Sequence, residues 1–287
     1  MQNSGVFSAL SDQVQKTIID FTRAGMQELE PTLKKLFKQK STTAKFERMQ
    51  STAPFGAVPA KAEGADYSYD IIQPGYSKDI TPVEYGLGFL YTETASEDDD
   101  YQVLSQNSRW LGFSARVLQE TKAAQVFING FSTQLTADGV ALFSTAHTLK
   151  RGGTVKNALS TPSDPSIAAF SQMRSDMRTN TKLESGQLVR PSKNVFLLHH
   201  PEQEWLVHRL VKSKGLPQSA DNDPNPANDL MDITPLTWEY LEDTDAWFMV
   251  ASSTAAHGLV QVSRVKPKLN PARQVPQSGN WIVSIRL

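Results

Sequence analysis

The sequence predicts an α+β fold organised round one long helix, and three stretches carry that reading. Residues 96–139 read as a helix with an acidic start that runs into a sharp turn. Before it, Tyr67, Tyr69 and Ile71, and then Tyr85, Leu87, Phe89 and Tyr91, alternate with small or polar residues at the period of a β-strand. After it, a Ser- and Pro-rich boundary at residues 160–166 opens a second unit in which helical and strand patterns alternate.

The long helix is the best marked element. Ser96 followed by Glu97, Asp98 and Asp99 fits a helix start, where a hydroxyl and carboxylates satisfy and complement the first free backbone N–H groups. Val103, Leu104, Trp110, Leu111, Val117, Leu118 and Ala124 then recur at seven- and eight-residue intervals, which keeps one apolar stripe on one side. About thirty residues at ~1.5 Å each make a rod of roughly 45 Å. That exceeds what one compact domain needs, so the helix is read as the brace of something elongated.

In chain order, Val6, Leu10, Val14, Ile18 and Phe21 predict a first helix within residues 5–38, and Leu29, Leu33, Leu36 and Phe37 resume the pattern beyond a break or kink at Pro31. Lys34, Lys35, Lys38, Lys40, Lys45 and Arg48 make its end basic, as either a solvated arm or a surface for polyanions. The two alternating runs flank Pro74-Gly75 and read as a long β-hairpin. An isolated two-stranded hairpin is marginal in water, so its aromatic face is expected to pack on another copy of the chain. Asp138-Gly139 and Gly152-Gly153 mark turns beyond the long helix. In the second unit, Ile167, Phe170, Met173 and Met177 predict a helix and residues 194–198 a buried strand. Pro201 opens a helix through Trp205, Leu206 and Leu210. Residues 214–235 are expected to be a long surface loop, residues 238–240, 246–251 and 259–265 three strands, and Trp281, Val283 and Ile285 a last strand returning to the long helix.

Composition excludes several chemistries. The chain of 287 residues has no cysteine, which removes disulfides, thiolate metal sites and a cysteine nucleophile. The 29 basic and 30 acidic residues give a net charge of −1, so no global basic field for nucleic acid exists. No basic head with an apolar core opens the chain, and no run approaches the ~18 apolar residues of a membrane span, so no membrane partner is expected. Asp138, Ser144 and His147 have the residue types of a catalytic triad but lack the strand-turn-helix context that would expose the serine. His200, Glu204 and His208 would align on one helix face, yet the histidines lie two turns apart rather than the one turn usual for zinc. Residues 97–100 suit a helix start better than a cation site, and Trp205, Trp238 and Trp247 are read as core residues. No catalytic, cofactor-binding or metal residue is assigned, no cofactor is expected, and the chain is read as a structural protein rather than an enzyme.

Five segments in order, VEYGLGFLYT, SEDDDYQVL, FINGFSTQLTADGVALFSTAHTLKRGGTVKN, ADNDPNPAND and YLEDTDAWFMVA, resemble the major capsid proteins of tailed bacteriophages, in particular the Mu-like major head subunit branch. The resemblance spans roughly residues 50–265, and TADGVALFSTAH is its most specific part. It implies the Hong Kong 97-type fold: an N-terminal arm at 1–48, an extended loop at 49–95, a peripheral domain with a spine helix at 96–165, an axial domain at 166–265, and a return strand to the peripheral domain at 266–287. It also implies hexamers and pentamers of an icosahedral shell round double-stranded DNA, assembled in the host cytoplasm and located in the virion, with a portal, a separate scaffolding protein and a possible decoration protein as partners. Tyr67, Tyr69, Tyr85, Phe89, Asp221 and Asp229 are the expected subunit contacts, and Lys34, Lys35 and Lys38 the residues expected to face DNA. Lys61 and Lys78 fall in the extended loop, but no matched asparagine is evident, so no crosslink is assigned. Two alternatives stand beside this reading: an encapsulin-type compartment shell round protein cargo, and a metal-dependent hydrolase using His200, Glu204 and His208.

Overall fold

The computed structural model describes residues 4–98, 101–190, 193–215, 223–229, 232–252, 258–275, 278 and 280–287. The first half forms α1 (Ser4–Glu28), α2 (Leu33–Leu36), β1 (Lys38–Ser41), β2 (Glu47–Ala53), β3 (Gln73–Ile80), β4 (Gly86–Tyr91), α3 (Glu93–Glu97) and α4 (Tyr101–Ile128). There follow β5 (His147–Thr148), β6 (Thr154–Val155), α5 (Ile167–Asn180), β7 (Asn194–His199), α6 (Glu204–Lys212), α7 (Pro226–Asp229), β8 (Asp232–Thr237), β9 (Trp247–Ala251), β10 (Val260–Ser263), β11 (Lys268–Gln274) and β12 (Trp281–Arg286).

The predicted long helix is α4, 28 residues in length, or about 42 Å at ~1.5 Å per residue. Its start differs from expectation. Ser96 lies inside α3, which is capped instead by Thr92: that residue holds the extended backbone a cap requires, and its side chain accepts from the Ala95 N–H at 3.3 Å. Asp99 and Asp100 lie outside the described residues. The apolar stripe is narrower than predicted, with Leu104, Leu111 and Ala124 buried and Val103 and Trp110 exposed. Adjacent helical residues point about 100° apart, so where a single side of α4 meets the core one of a neighbouring pair is turned outward.

Two glycines set how closely α1 approaches α4. A Cβ on Gly25 would lie 1.9 Å from the Arg109 carbonyl oxygen, and one on Gly112 would lie 2.0 Å from that of Thr22. Backbone therefore meets backbone at this crossing. Side chains tie the two elements at this crossing: Arg116 Nε donates to the Met26 carbonyl at 3.1 Å, and Arg109 pairs with Glu28. Beyond the break at residues 29–32, which includes Pro31, α2 continues along the same helix. There the Glu120 carboxylate accepts from the Leu33 N–H at 3.2 Å and from Trp238 Nε1 at 3.2 Å. It thus replaces the missing side-chain cap of α2 and fixes the second unit to α4 with the same oxygen. Glu120 is almost fully buried. Burial pushes its carboxyl above the ordinary range, against the lowering influence of Leu33, Trp238 and Arg116.

Three cores follow from these contacts. Ile18, Leu104, Leu111 and Ala115 pack with Tyr91, Val283 and Ile285 beneath the antiparallel sheet β11-β12-β4. The far end of α4, with Ala123, Ala124 and Phe127, packs with Leu33, Leu36 and Phe37 against Leu198, Trp238, Phe248 and Val250. The second unit is centred on the sheet β8-β7-β9, in which β7 runs parallel to β8 and antiparallel to β9. Strand alternation turns Val195 and Leu197 toward Phe170 of α5 and Val207, Leu210 and Val211 of α6, and turns Leu198 to the α4 side. Pro235 is compatible with β8 because that strand is at the sheet edge.

Several expectations are corrected here. Tyr67, Tyr69 and Ile71 form no strand, and the hairpin is β2 with β3. The strand β4 pairs instead with β12, Phe89 opposite Val283 and Tyr91 opposite Trp281. Alternation identifies a segment able to be extended, but the partner is chosen by burial, and β12 brings the buried Val283 and Ile285 beside β4. The predicted loop at 214–235 contains α7 and the start of β8. Its organiser is the buried Asn225, whose amide donates to the Leu210 carbonyl at 2.7 Å and whose oxygen accepts from the Ala227 N–H at 3.0 Å. Residues 238–240 follow β8 rather than forming a strand. Trp238 is fully buried, but Trp205 is 89% exposed on α6, contrary to the reading of both as core. The return of the last strand to the long helix is observed, through Val283 and Ile285.

The turn after α4 is locked by side chains. Asp138 accepts from the Val140 N–H at 3.1 Å and from the Thr136 hydroxyl, and its other oxygen lies 2.8 Å from His147 Nδ1. Burial alone would raise the Asp138 carboxyl, but these hydrogen bonds outweigh it and hold the group below its usual range. Gly139 supplies the φ of +84° that the turn requires.

Gly112→Val is expected to destabilise the chain by about 1–3 kcal/mol through overpacking against Thr22, read by thermal or urea unfolding. Glu120→Ala leaves the Leu33 N–H and the Trp238 indole N–H buried without an acceptor, at a cost of at least about 2 kcal/mol in the same measurement. Asp138→Asn tests the turn through pH. A carboxyl whose folded pKa is depressed contributes stability above its unfolded pKa and loses it as pH falls through the folded value. The variant should therefore be weaker than the parent by about 1 kcal/mol at neutral pH, and the gap should close below about pH 4.

Candidate assembly interface

The hairpin β2-β3 begins as a regular antiparallel pair, Glu47 opposite Ile80 and Arg48 opposite Asp79, with the latter two joined by a paired ion contact at 2.7 and 2.8 Å. A register shift falls between Gln50 and Thr52. There Gly75 lies so close to Ser51 that a Cβ would meet its hydroxyl at 2.2 Å. Beyond it, residues 54–72 leave regular structure and are exposed apart from the half-buried Pro54 and Gly56.

This tip is held at its root and left bare at its end. Arg151 donates to both oxygens of Asp70 at 2.9 and 3.0 Å and to the Ile71 carbonyl. Asp70 also accepts from the Gly56 N–H at 2.8 Å, and this bond, followed by Arg151, holds its carboxyl below the usual range. Tyr76 shares a 2.9 Å hydrogen bond with Thr148, and its ring lies 4.1 Å from the Lys150 ammonium. The Ser51 hydroxyl donates to Glu184 at 3.3 Å, and Lys78 donates to the Leu135 carbonyl. Against these polar anchors stand exposed apolar residues: Phe55, Val58, Ile71, Ile72, and Tyr67 and Tyr69 at 73% and 90% exposure. Apolar side chains exposed together in this way mark a surface that another molecule covers.

The structure separates the predicted contact residues. Tyr67 and Tyr69 lie on the bare tip, and the Lys61 ammonium sits 4.3 Å from the Tyr67 ring. Tyr85 exchanges backbone hydrogen bonds with Leu287 at 3.3 and 2.9 Å. Phe89 packs on the core beneath β12. The latter two therefore belong to the tail sheet, not to a common aromatic face with Tyr67 and Tyr69. Asp221 lies outside the described residues, and Asp229 closes α7. Lys34, Lys35 and Lys38 are exposed, with Lys35 paired to Glu30 at 2.7 Å.

The catalytic candidates do not assemble. Asp138 and His147 meet, but the Ser144 hydroxyl accepts from the Ala146 N–H, while His147 Nε2 faces the Leu142 carbonyl and Asn157 Oδ1 at 3.3 and 3.2 Å. The pair is a turn lock. His200 caps the turn before α6 by accepting from the Glu202 N–H, and Glu204 and His208 are exposed on that helix. Among the described residues no group of carboxylates and histidines is placed to hold a metal ion. Sequence reasoning missed the Asp70–Arg151 anchor and the Glu120 junction. Their partners lie 81 and 87 to 118 residues away, and no local pattern announces them.

Comparison with known proteins gives a consistent outcome. A family model described as phage capsid protein matches residues 75–287. No curated protein matches the chain in sequence. Among solved structures, the bacteriophage JBD30 capsid is similar at a TM-score of 0.60 and 14% identity, over 75% of this chain and 93% of that one. The JBD30 procapsid is similar at 0.58 and 14%, over 83% and 100%. The capsid of cyanophage P-SCSP1u is similar at 0.56 and 10%, over 90% and 83%. At these identities the structures speak for a shared mixed α+β fold, whereas the family match covers well over half of the sequence. The chain belongs to the phage capsid protein family.

Proposed function

We infer that this chain is the major capsid protein of a tailed double-stranded DNA bacteriophage, self-assembling as hexamers and pentamers into an icosahedral head that encloses the genome. The observation that carries the mechanism is the bare aromatic tip of the β2-β3 hairpin, anchored at its root and uncovered at its end. In this reading the fold is of the Hong Kong 97 type. The arm is 1–48, the extended loop 49–95, the peripheral domain 96–165 with α4 as its spine, the axial domain 166–265, and the return strand 266–287. The protein works by contact and not by catalysis, and its place is the virion, after assembly in the host cytoplasm.

Tyr67 and Tyr69 bury themselves on the neighbouring subunit, while Phe89 and Tyr85 hold the root of the loop within their own subunit. Loops near α7, including Asp221 and Asp229, approach the local symmetry axis. Lys34, Lys35 and Lys38 face the packaged DNA without sequence preference, as phosphate contacts do. A separate scaffolding protein, a portal and a possible decoration protein complete the partner set.

Replacing Tyr67 and Tyr69 together by serine should lower the yield of particles at least tenfold, since a covered aromatic at an interface contributes about 2 kcal/mol or more, and about 1.4 kcal/mol is a factor of ten. Sedimentation and negative-stain imaging read the yield, and the melting temperature of the unassembled chain should stay where it was. Particles formed as abundantly as by the parent chain would remove the tip from the interface. Shells filled with protein cargo instead of DNA would move the biology to an encapsulin-type compartment.

A further inference from the structure

Helix α6 buries Val207, Leu210 and Val211 against the sheet β8-β7-β9 and turns Trp205, His208, Arg209 and Lys212 outward. Trp205, Arg209 and Lys212 follow one another at four and three residues and share one face. An indole left 89% exposed beside two cations is unusual for a monomer surface. Among the described residues neither Arg209 nor Lys212 has an ion-pair partner. On the opposite side of the same sheet, Trp238 and Leu241 are buried against α4, and the turn around and after them presents Glu239, Glu242, Asp243 and Asp245 to solvent. No cation pairs with these four carboxylates among the described residues.

We propose that the Trp205–Arg209–Lys212 face of α6 docks on the acidic turn at 239–245 of a second copy of this chain. The inference rests on the shell reading above and specifies how neighbours in one ring recognise each other. Its geometric support is that α6 packs on the Val195 and Leu197 face of the sheet, whereas the acidic turn is anchored on the Leu198 face. No ion pair joins the two patches within one subunit among the described residues. Their opposite charge suits a contact between copies, head to tail, and a head-to-tail contact that closes on itself makes a ring. Opposite charge sets register and encounter, and the indole supplies the desolvated anchor typical of such contacts.

Charge reversal of the full chain tests this. Arg209→Glu with Lys212→Glu should reduce assembly about tenfold or more, because like charges placed together at an interface oppose association strongly. Glu242→Lys with Asp243→Lys should do the same. An equimolar mixture of the two variants should raise assembly several-fold above either variant alone, since every contact in an alternating hexamer is again between opposite charges and an alternating pentamer keeps only one contact between copies of the same variant. Circular dichroism checks that each variant stays folded, and sedimentation reads both small oligomers and shells. Variants that assemble like the parent, or a mixture no better than its components, would overturn the proposal. So would reversed α6 variants that form normal shells but retain less DNA, since the face would then serve nucleic acid. If the parent forms no shells at all, the shell reading fails by itself. The contact is then decided by whether the mixture forms small oligomers that neither variant forms alone.

Discussion

The buried carboxylate of Glu120 is the contact on which the arrangement of this chain depends. It stands on the long helix, accepts from the first N–H of α2, and accepts from the Trp238 indole at the end of β8. Three segments distant in sequence thereby share one acceptor. A carboxylate buried without such donors would be strongly disfavoured, and two N–H groups buried without it would be orphaned. The junction is accordingly all or nothing. It ties the N-terminal segment and the second unit to α4 at one point, so the helix serves as the common reference for both.

From that reference the rest follows by packing. The Gly25 and Gly112 crossing brings α1 against α4 at backbone distance, and Leu104 and Leu111 then seat the tail sheet. At the other end, Phe127 meets Phe37, Trp238 and Phe248 edge-on, with ring centroids 6.1, 5.8 and 5.2 Å apart. Beyond the helix, the Asp138–His147 lock stiffens the turn whose neighbours, Thr148, Lys150 and Arg151, grip the hairpin. The stiffness of the platform and the bareness of the tip belong together. In the proposed shell, a tip held at its root would reach a neighbour with little ordering left to do, which lowers the entropic cost of association.

Much of this was legible in the sequence. The long helix, the break near Pro31, the Asp138-Gly139 turn and the returning last strand are local signals, and each is observed. The family resemblance rested on short segments that all fall within the matched residues 75–287. Most of the expectations that failed concern partners, the helix start at Ser96 being a local exception. The runs at 67–71 and 85–91 have the same alternation, but one ends on a bare loop and the other within a sheet. Trp205 and Trp238 both have apolar neighbours in sequence, yet one is solvent-facing and the other fully buried.

By itself, then, the sequence determined which segments could be helical or extended, that no cysteine chemistry exists, and to which family the chain is related. Only the tertiary structure decided that β4 belongs to β12, that Tyr67 and Tyr69 are bare while Phe89 is packed, and that Glu120 joins three segments. The physical reason is one of range. Periodicity and capping are set by neighbours within a few residues, whereas strand pairing and the burial of a polar group depend on contacts made across 80 to 200 residues.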